Sequence, residues 1–263
     1  WSECASRSPA AYVLVTRPDG GEAWTAGKSF DIRWRTENLD PVTPVGTVTI
    51  ELVKGGAVVQ TLAAAIPNNG QFAWSIPPGL TPGADYTIRV TRGGETDLSN
   101  APFTISPPTT IYYVNDATVQ PGDWTTAPGN DANTGDNPDS PLPSVQALLN
   151  RFPLGAGDVI RVDAGVYNLA ANIVISASDA GVKVEGFHDG AFPDRHALLQ
   201  RGNPVAGSYV FELQNADNVT LDNLWITGGY EGVFASNGSD SDNLTLSNNV
   251  IFGNVDTGVD LEA

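Results

Sequence analysis

Methionine is missing from this sequence, cysteine occurs once, and lysine occurs three times, as Lys28, Lys54 and Lys183. One cysteine, Cys4, cannot form an internal disulfide, which excludes a disulfide-stapled scaffold. With 13 Lys+Arg against 30 Asp+Glu, the formal net charge is −17. That balance excludes a nucleic-acid partner, whose phosphates require a cationic footprint, and an anionic membrane surface for the same reason. No apolar run reaches the length of a membrane span. The chain opens at Trp1 without a methionine, and the expectation is a processed or excised piece. Hydrophobic residues still make up 41%, enough for a packed core, while 28 glycines and 19 prolines favour a turn-rich, all-β chain of about two domains.

After an N-terminal extension at 1–11, residues 12–106 read as short strands between turns. Phe30-Asp31-Ile32-Arg33-Trp34, Val48-Thr49-Ile50-Glu51-Leu52-Val53 and Tyr86-Thr87-Ile88-Arg89-Val90 all alternate with period two. Val13-Leu14-Val15, Phe72-Ala73-Trp74-Ser75-Ile76 and Phe103-Thr104-Ile105 add further strands. Alternation gives each strand one buried and one wet face, as in two packed sheets, and about seven strands over this length suit an Ig/FnIII-like sandwich. Trp34 and Trp74 fall in phase with buried positions, so core packing is preferred over sugar stacking for them; Trp24 falls in a turn.

The pattern Pro18-x-x-Gly21-Glu22-x-Trp24-x-x-Gly27, with Ile32-x-Trp34, resembles the fibronectin-like domain of the yeast cell-wall Kre9/Knh1 family. The likeness runs on through Trp74-x-Ile76-Pro77, Gly83-x-Asp85-Tyr86-x-Ile88-Arg89-Val90 and Asp97-x-Ser99-x-x-Pro102-Phe103-x-Ile105. It implies an extracellular, non-catalytic module on proteins that handle or decorate cell-wall glycans.

Residues 107–110, with Pro107 and Pro108 followed by threonines, read as a short semi-rigid linker. From Ile111 the texture changes. Strand Ile111-Tyr112-Tyr113-Val114 leads to a polar loop, a short helix at Val145–Phe152 capped by Ser144, then Gly157-Asp158-Val159-Ile160 and Gly165-Val166-Tyr167. This order is similar to the N-terminal cap of right-handed parallel β-helix proteins of the pectate-lyase-like fold, and the resemblance implies such a coil with a capping helix over 111–263. An internal repeat agrees with it: the segments starting at Asn218 and Asn243 align at an offset of 25 residues. Residues Phe187 to Gly207 read as an excursion loop. The pattern stops in mid-repeat at Gly258-Val259, without a C-terminal cap, and an uncovered solenoid end is expected to pair with something, a head-to-tail copy included.

Three sets of residues carry candidate chemistry. Asn130, Asp131, Asn133, Asp136 and Asp139 form an oxygen-rich loop that could supply Ca²⁺ ligands; Asx turns, in which these side chains bond their own backbone, are preferred. A lyase acting beside a uronate carboxylate needs a base and a cation, and Lys183, Arg195, His196 and Arg201 are the candidates, with His188 beside them. For Arg195 and Arg201 the preferred reading is pairing with Asp189, Asp194 or Glu212. Asp256 and Asp260 are read as polar groups of rung turns rather than as the paired carboxylates of a glycosidase. The favoured function is thus a secreted or cell-surface protein without catalysis, glycan-binding or structural, self-assembling through its coil end into homo-oligomers or filaments. The alternative is a polysaccharide lyase or epimerase acting on uronate-containing glycans.

Overall fold

The computed structural model describes residues 12–37 and 46–262. The extension at 1–11, with Cys4, lies outside the described residues. The chain divides into two compact units, one ending at Pro108 and the other beginning at Thr109.

In the first unit the strands are β1 (Tyr12–Arg17), β2 (Ala23–Thr25), β3 (Ser29–Glu37), β4 (Thr47–Lys54), β5 (Ala57–Pro67), β6 (Gln71–Ser75), β7 (Gly83–Arg92), β8 (Glu95–Leu98) and β9 (Phe103–Ser106). They form two sheets, β1-β3-β6 and β2-β9-β7-β4-β5, with β8 pairing β7. The alternation read from the sequence is the burial pattern: Ile32, Trp34, Ile50, Leu52, Ile88, Val90, Phe103 and Ile105 all lie inside. Trp24 is not a turn residue. It sits in β2 at 2% exposure, stacked on Phe30 at 4.9 Å and tilted against Phe103 at 4.8 Å. A single three-residue strand is too short for its alternation to show, which is why the sequence placed it in a turn. Trp34 spends its indole N–H on Asn68 Oδ1 at 2.6 Å. Trp24, Trp34 and Trp74 are all core residues.

The second unit contains β10 (Thr110–Val114), α1 (Val145–Arg151), β11 (Asp158–Val162), β12 (Gly165–Asn168), β13 (Ile173–Ser176), β14 (Lys183–Gly186), β15 (Ala197–Gln200), β16 (Tyr209–Gln214), β17 (Thr220–Asp222), β18 (Leu224–Thr227), β19 (Glu231–Ala235), β20 (Thr245–Ser247), β21 (Val250–Phe252) and β22 (Thr257–Leu261). Three parallel sheets result: β10-β11-β14-β17-β20, β12-β15-β18-β21 and β13-β16-β19-β22. From β11 onward each sheet takes every third strand in turn, which is the connectivity of a parallel β-helix. The 25-residue repeat appears as strand register, Thr220 opposite Thr245 and Leu221 opposite Leu246. Inward aliphatics stack from rung to rung in one core that includes Val184, Leu199, Phe211, Leu221, Leu224, Ile226 and Val233.

Polar side chains tie the rungs at the same interval. Asn249 Oδ1 accepts from Leu224 N at 2.9 Å, Asn254 Oδ1 from Gly229 N at 3.0 Å, and Asp217 Oδ1 from Asp242 N at 2.8 Å. Asn218, Asn223, Asn243 and Asn248 sit at the bends with φ between 54 and 59°, the left-handed region that asparagine tolerates. Helix α1 starts at Ser144, whose hydroxyl accepts from Ala147 N at 3.2 Å, and buries Val145 and Leu148 against β10, β11 and β13. A second expectation is corrected. The stretch Phe187 to Gly207 is not a single loop, because Ala197 and Leu199 turn inward within β15, which pairs with β12 and β18. Four residues of alternation between two polar segments gave too short a signal to read as a strand. Among the described residues no helix is long and apolar enough to cross a membrane.

Candidate functional site

Along the outer face of the sheet β12-β15-β18-β21, register places Val166, Leu198, Trp225 and Val250 in one file on successive rungs. Their strand neighbours Ala197, Leu199, Leu224 and Ile226 point into the core, so alternation turns this file outward. Val166 is 50% exposed, Val250 42% and Phe252, near the end of β21, 44%, while Leu198 and Trp225 are half-buried. Four apolar side chains in a row on the outside of a charged protein form an apolar strip of the kind that marks binding surfaces.

Loops wall this strip. A hollow of about 420 Å³ is bounded by His188, Asp189, Phe192, Arg195, Asn223 and Trp225 among others; an adjoining one of about 270 Å³ includes Gln120, Val166, Asp194, Leu198 and Trp225. Arg195, His196 and Trp225 line both, so the two hollows form one groove. His196 stacks on the Trp225 indole at 4.0 Å with planes 10° apart, and Phe252 meets Trp225 edge-on at 5.7 Å. Trp124 packs against Phe187 at 5.7 Å and His188 at 5.6 Å, buttressing the wall. Its loop is pinned by Asp163, a buried carboxylate that accepts from Trp124 N at 2.7 Å and Thr125 N at 3.0 Å. Burial pushes the Asp163 carboxyl up to about 6, against the pull of those hydrogen bonds and with Asp123 adding to the rise.

The four candidate catalytic residues are not brought together as one reacting set. Lys183 on β14 bridges Glu185 and Asp222, each at 2.8 Å, and Arg161 holds the other side of Glu185 at 3.2 Å. This ladder lies on the neighbouring sheet. Desolvation works to raise Asp222, but hydrogen bonds from Lys183, Asn248 and Ser247 prevail and hold its carboxyl at about 2. Arg195 and His196 line the groove, whereas Arg201 donates to Asn172 Oδ1 at 3.2 Å and Leu169 O at 3.3 Å. The expected pairing of Arg195 and Arg201 with Asp189, Asp194 or Glu212 is absent among the described residues. Arg195 donates to Pro121 O and lies 4.6 Å over Phe192. Glu212 instead accepts from Asn172 and Gln214, both at 2.8 Å, and Asp189 accepts from Ala191 N at 2.8 Å. Fixed carbonyls at rung corners and loop ends lie nearer these guanidinium groups than the carboxylates do.

In the oxygen-rich loop, Asn130 Oδ1 accepts from Ala132 N at 2.9 Å and Asn133 donates to Pro141 O at 2.8 Å. Asp136 accepts from the Thr134 hydroxyl, Asp139 from the Thr126 hydroxyl, and the Asp131 carbonyl from Arg151 at 2.8 Å. Asn130 and Asp136 close local turns, Asn133 and Asp139 tie more distant points of the same polar stretch, and Asp131 takes part through its backbone carbonyl. Among the described residues, three carboxylates gather with oxygens within 4.8 Å of one another: Asp217, Asp240 and Asp242, at a corner of the coil. On the third sheet, Glu231 is 5% exposed with one oxygen unpartnered, and burial raises its carboxyl, helped by Asp260, Asp256 and Glu262.

The groove residues Trp225, Leu198, Val250 and Trp124 were not singled out from the sequence. A signal was present: in Leu224-Trp225-Ile226 the aliphatics are inward, which forces the tryptophan out.

Comparison with known proteins adds the following. Residues 17–111 match the family of the Kre9/KNH-like N-terminal Ig-like domain. No curated protein matches the chain. Among solved structures, the catalytic domain of a GH87 alpha-1,3-glucanase in complex with nigerose is similar with a TM-score of 0.34 and 12% identity, over 88% of this chain and 46% of that one. The chain therefore spans less than half the length of that structure.

Proposed function

We propose that this chain is a secreted or cell-surface protein that binds polysaccharide without cleaving it, along the outer face of its second unit. The observation that carries the reading is the outward file Val166–Leu198–Trp225–Val250, set in a groove with amide, carboxylate and imidazole groups along its edges. A pyranose ring is itself two-sided, with C–H groups on its faces and hydroxyls around its rim, and a strip of this make-up complements both. Strands stack about 4.8 Å apart, close to the length of one sugar residue, so an extended chain can follow the rungs. In this reading the coil is right-handed, as parallel crossovers overwhelmingly are, and α1 covers its first turn. The first unit, whose family likeness is to a cell-wall domain, supports a glycan-rich extracellular setting.

The lyase and epimerase reading has less support, because of its four candidates only Arg195 and His196 line the groove. Lys183 is held in its bridge to Glu185 and Asp222, and Arg201 is held by Asn172 and Leu169. The test is co-sedimentation of the full chain with insoluble wall polysaccharides, beside the Trp225→Ala variant. Binding by the parent and loss in the variant, with no release of reducing or unsaturated sugar, is the expected result. Equal sedimentation of both proteins, or product formation, overturns the proposal.

A further inference from the structure

The charges around the groove restrict what kind of polysaccharide it can accept. Resting on the reading above, we infer that the ligand is a neutral polysaccharide, and that uronate polymers are excluded at neutral pH.

The protein as a whole carries −17, so a polyanion approaches it against a repulsive field. Local cations could overcome that field only if they were uncommitted and faced the strip. Arg195 faces it, yet its guanidinium donates to Pro121 O and lies 4.6 Å over the Phe192 ring. Asp189 and Asp194 stand in the same walls. His188 meets the Gly186 carbonyl through Nδ1 at 3.1 Å, and His196 is stacked flat on Trp225. On the adjoining face Arg161 and Lys183 are matched by Glu185 and Asp222, so that ladder adds no net positive charge.

A uronate chain would bring one carboxylate per sugar past two aspartates and one occupied guanidinium. A neutral chain brings hydroxyls, which can donate to the carboxylates of Asp189 and Asp194 and exchange hydrogen bonds with Asn223 and Asn248. Acidic side chains that repel a uronate thus serve as acceptors for a neutral sugar. Recognition of this kind depends on apolar contact and neutral-donor hydrogen bonds, and salt should leave it nearly unchanged.

The test is affinity electrophoresis of the full chain at pH 7 with a chelator present. Separate gels contain β-glucan, mannan, xylan, polygalacturonate or alginate, at about 20 mM and about 300 mM NaCl, which brackets strong and weak screening. The expected result is retardation by at least one neutral polymer, changing less than about twofold with salt, and none by the two uronates. Trp225→Ala should weaken it by about tenfold or more, the loss of one stacked aromatic contact. Because Trp225 stands on the outer face, Val250→Ser serves as a second, milder variant if the first misfolds. Retardation by a uronate equal to or stronger than that by the neutral polymers overturns the charge inference and leaves glycan binding standing. Absence of retardation by all five, or retardation unaffected by both variants, overturns the underlying reading as well.

Discussion

Replacing Lys183 by methionine keeps most of the aliphatic stem and removes the charge that bridges Glu185 and Asp222 at 2.8 Å each. The cost can be worked from Asp222. Its carboxyl is held at about 2 rather than 3.8, a difference equivalent to about 2.5 kcal/mol of stabilisation of the ionised form. Ser247 and Asn248 share in that, through hydrogen bonds of 2.8 and 2.9 Å, and the Lys183 side chain is 32% exposed. Allowing for solvent screening, the part owed to Lys183 is about 1 kcal/mol. Because the folded value is depressed, this stabilisation is present above about pH 4 and is lost as the pH falls through 2. Hydrogen exchange of the β14 and β17 amides at pH 7 and again near pH 2 reads the effect locally. The loss in Lys183→Met should be about 1 kcal/mol at pH 7 and close to nothing at the acid end. An equal loss at both pH values would refute the electrostatic origin. Unchanged exchange joined to a lost lyase activity would restore Lys183 as a base.

Glu231→Gln should stabilise the second unit at neutral pH, by an amount that grows as the pH rises from the unfolded carboxyl value through the raised folded one and is level above it, because the buried carboxyl resists ionisation; pH-dependent thermal unfolding checks this, and destabilisation at pH 7 would contradict it. Trp24→Ala should cost about 3–5 kcal/mol in urea unfolding of the first unit, since it removes a fully packed aromatic, whereas a loss under 1 kcal/mol would mean that the site is not core. Millimolar Ca²⁺ and chelator should give the same thermal unfolding curve, because Asn130, Asn133, Asp136 and Asp139 already serve hydrogen bonds within their own polar stretch. A clear upward shift with Ca²⁺ that persists when Asp240, of the separate corner cluster with Asp217 and Asp242, is replaced by asparagine would return that loop to the metal-site candidates.

How far the sequence reaches depends on how many residues carry each signal. The sandwich strands β1, β3, β4, β6 and β7 span five to ten residues and were legible, as was the shorter β9, whereas β2, β5 and β8 were not. The coil was legible where the repeat kept its 25-residue offset, from Asn218 onward. It was not legible at β15, where only Ala197 and Leu199 mark the inward face between two polar stretches. The groove was hidden for a different reason. Val166, Leu198, Trp225 and Val250 are separated by 32, 27 and 25 residues, and only strand register makes them neighbours. Charge alone drew attention to Arg195, Arg201 and Lys183, but whether a guanidinium meets a carboxylate or a carbonyl is decided by rung corners that no spacing rule specifies.

The most direct measurement of the central claim is hydroxyl-radical footprinting of the chain with and without a polysaccharide that it retains. Protection should concentrate on Trp225, Leu198 and Phe252, leaving Val58 and Val59 of the first unit, both exposed, as reactive as before. Protection centred on the first unit, with the Trp225 rate unchanged, would contradict the assignment of the groove.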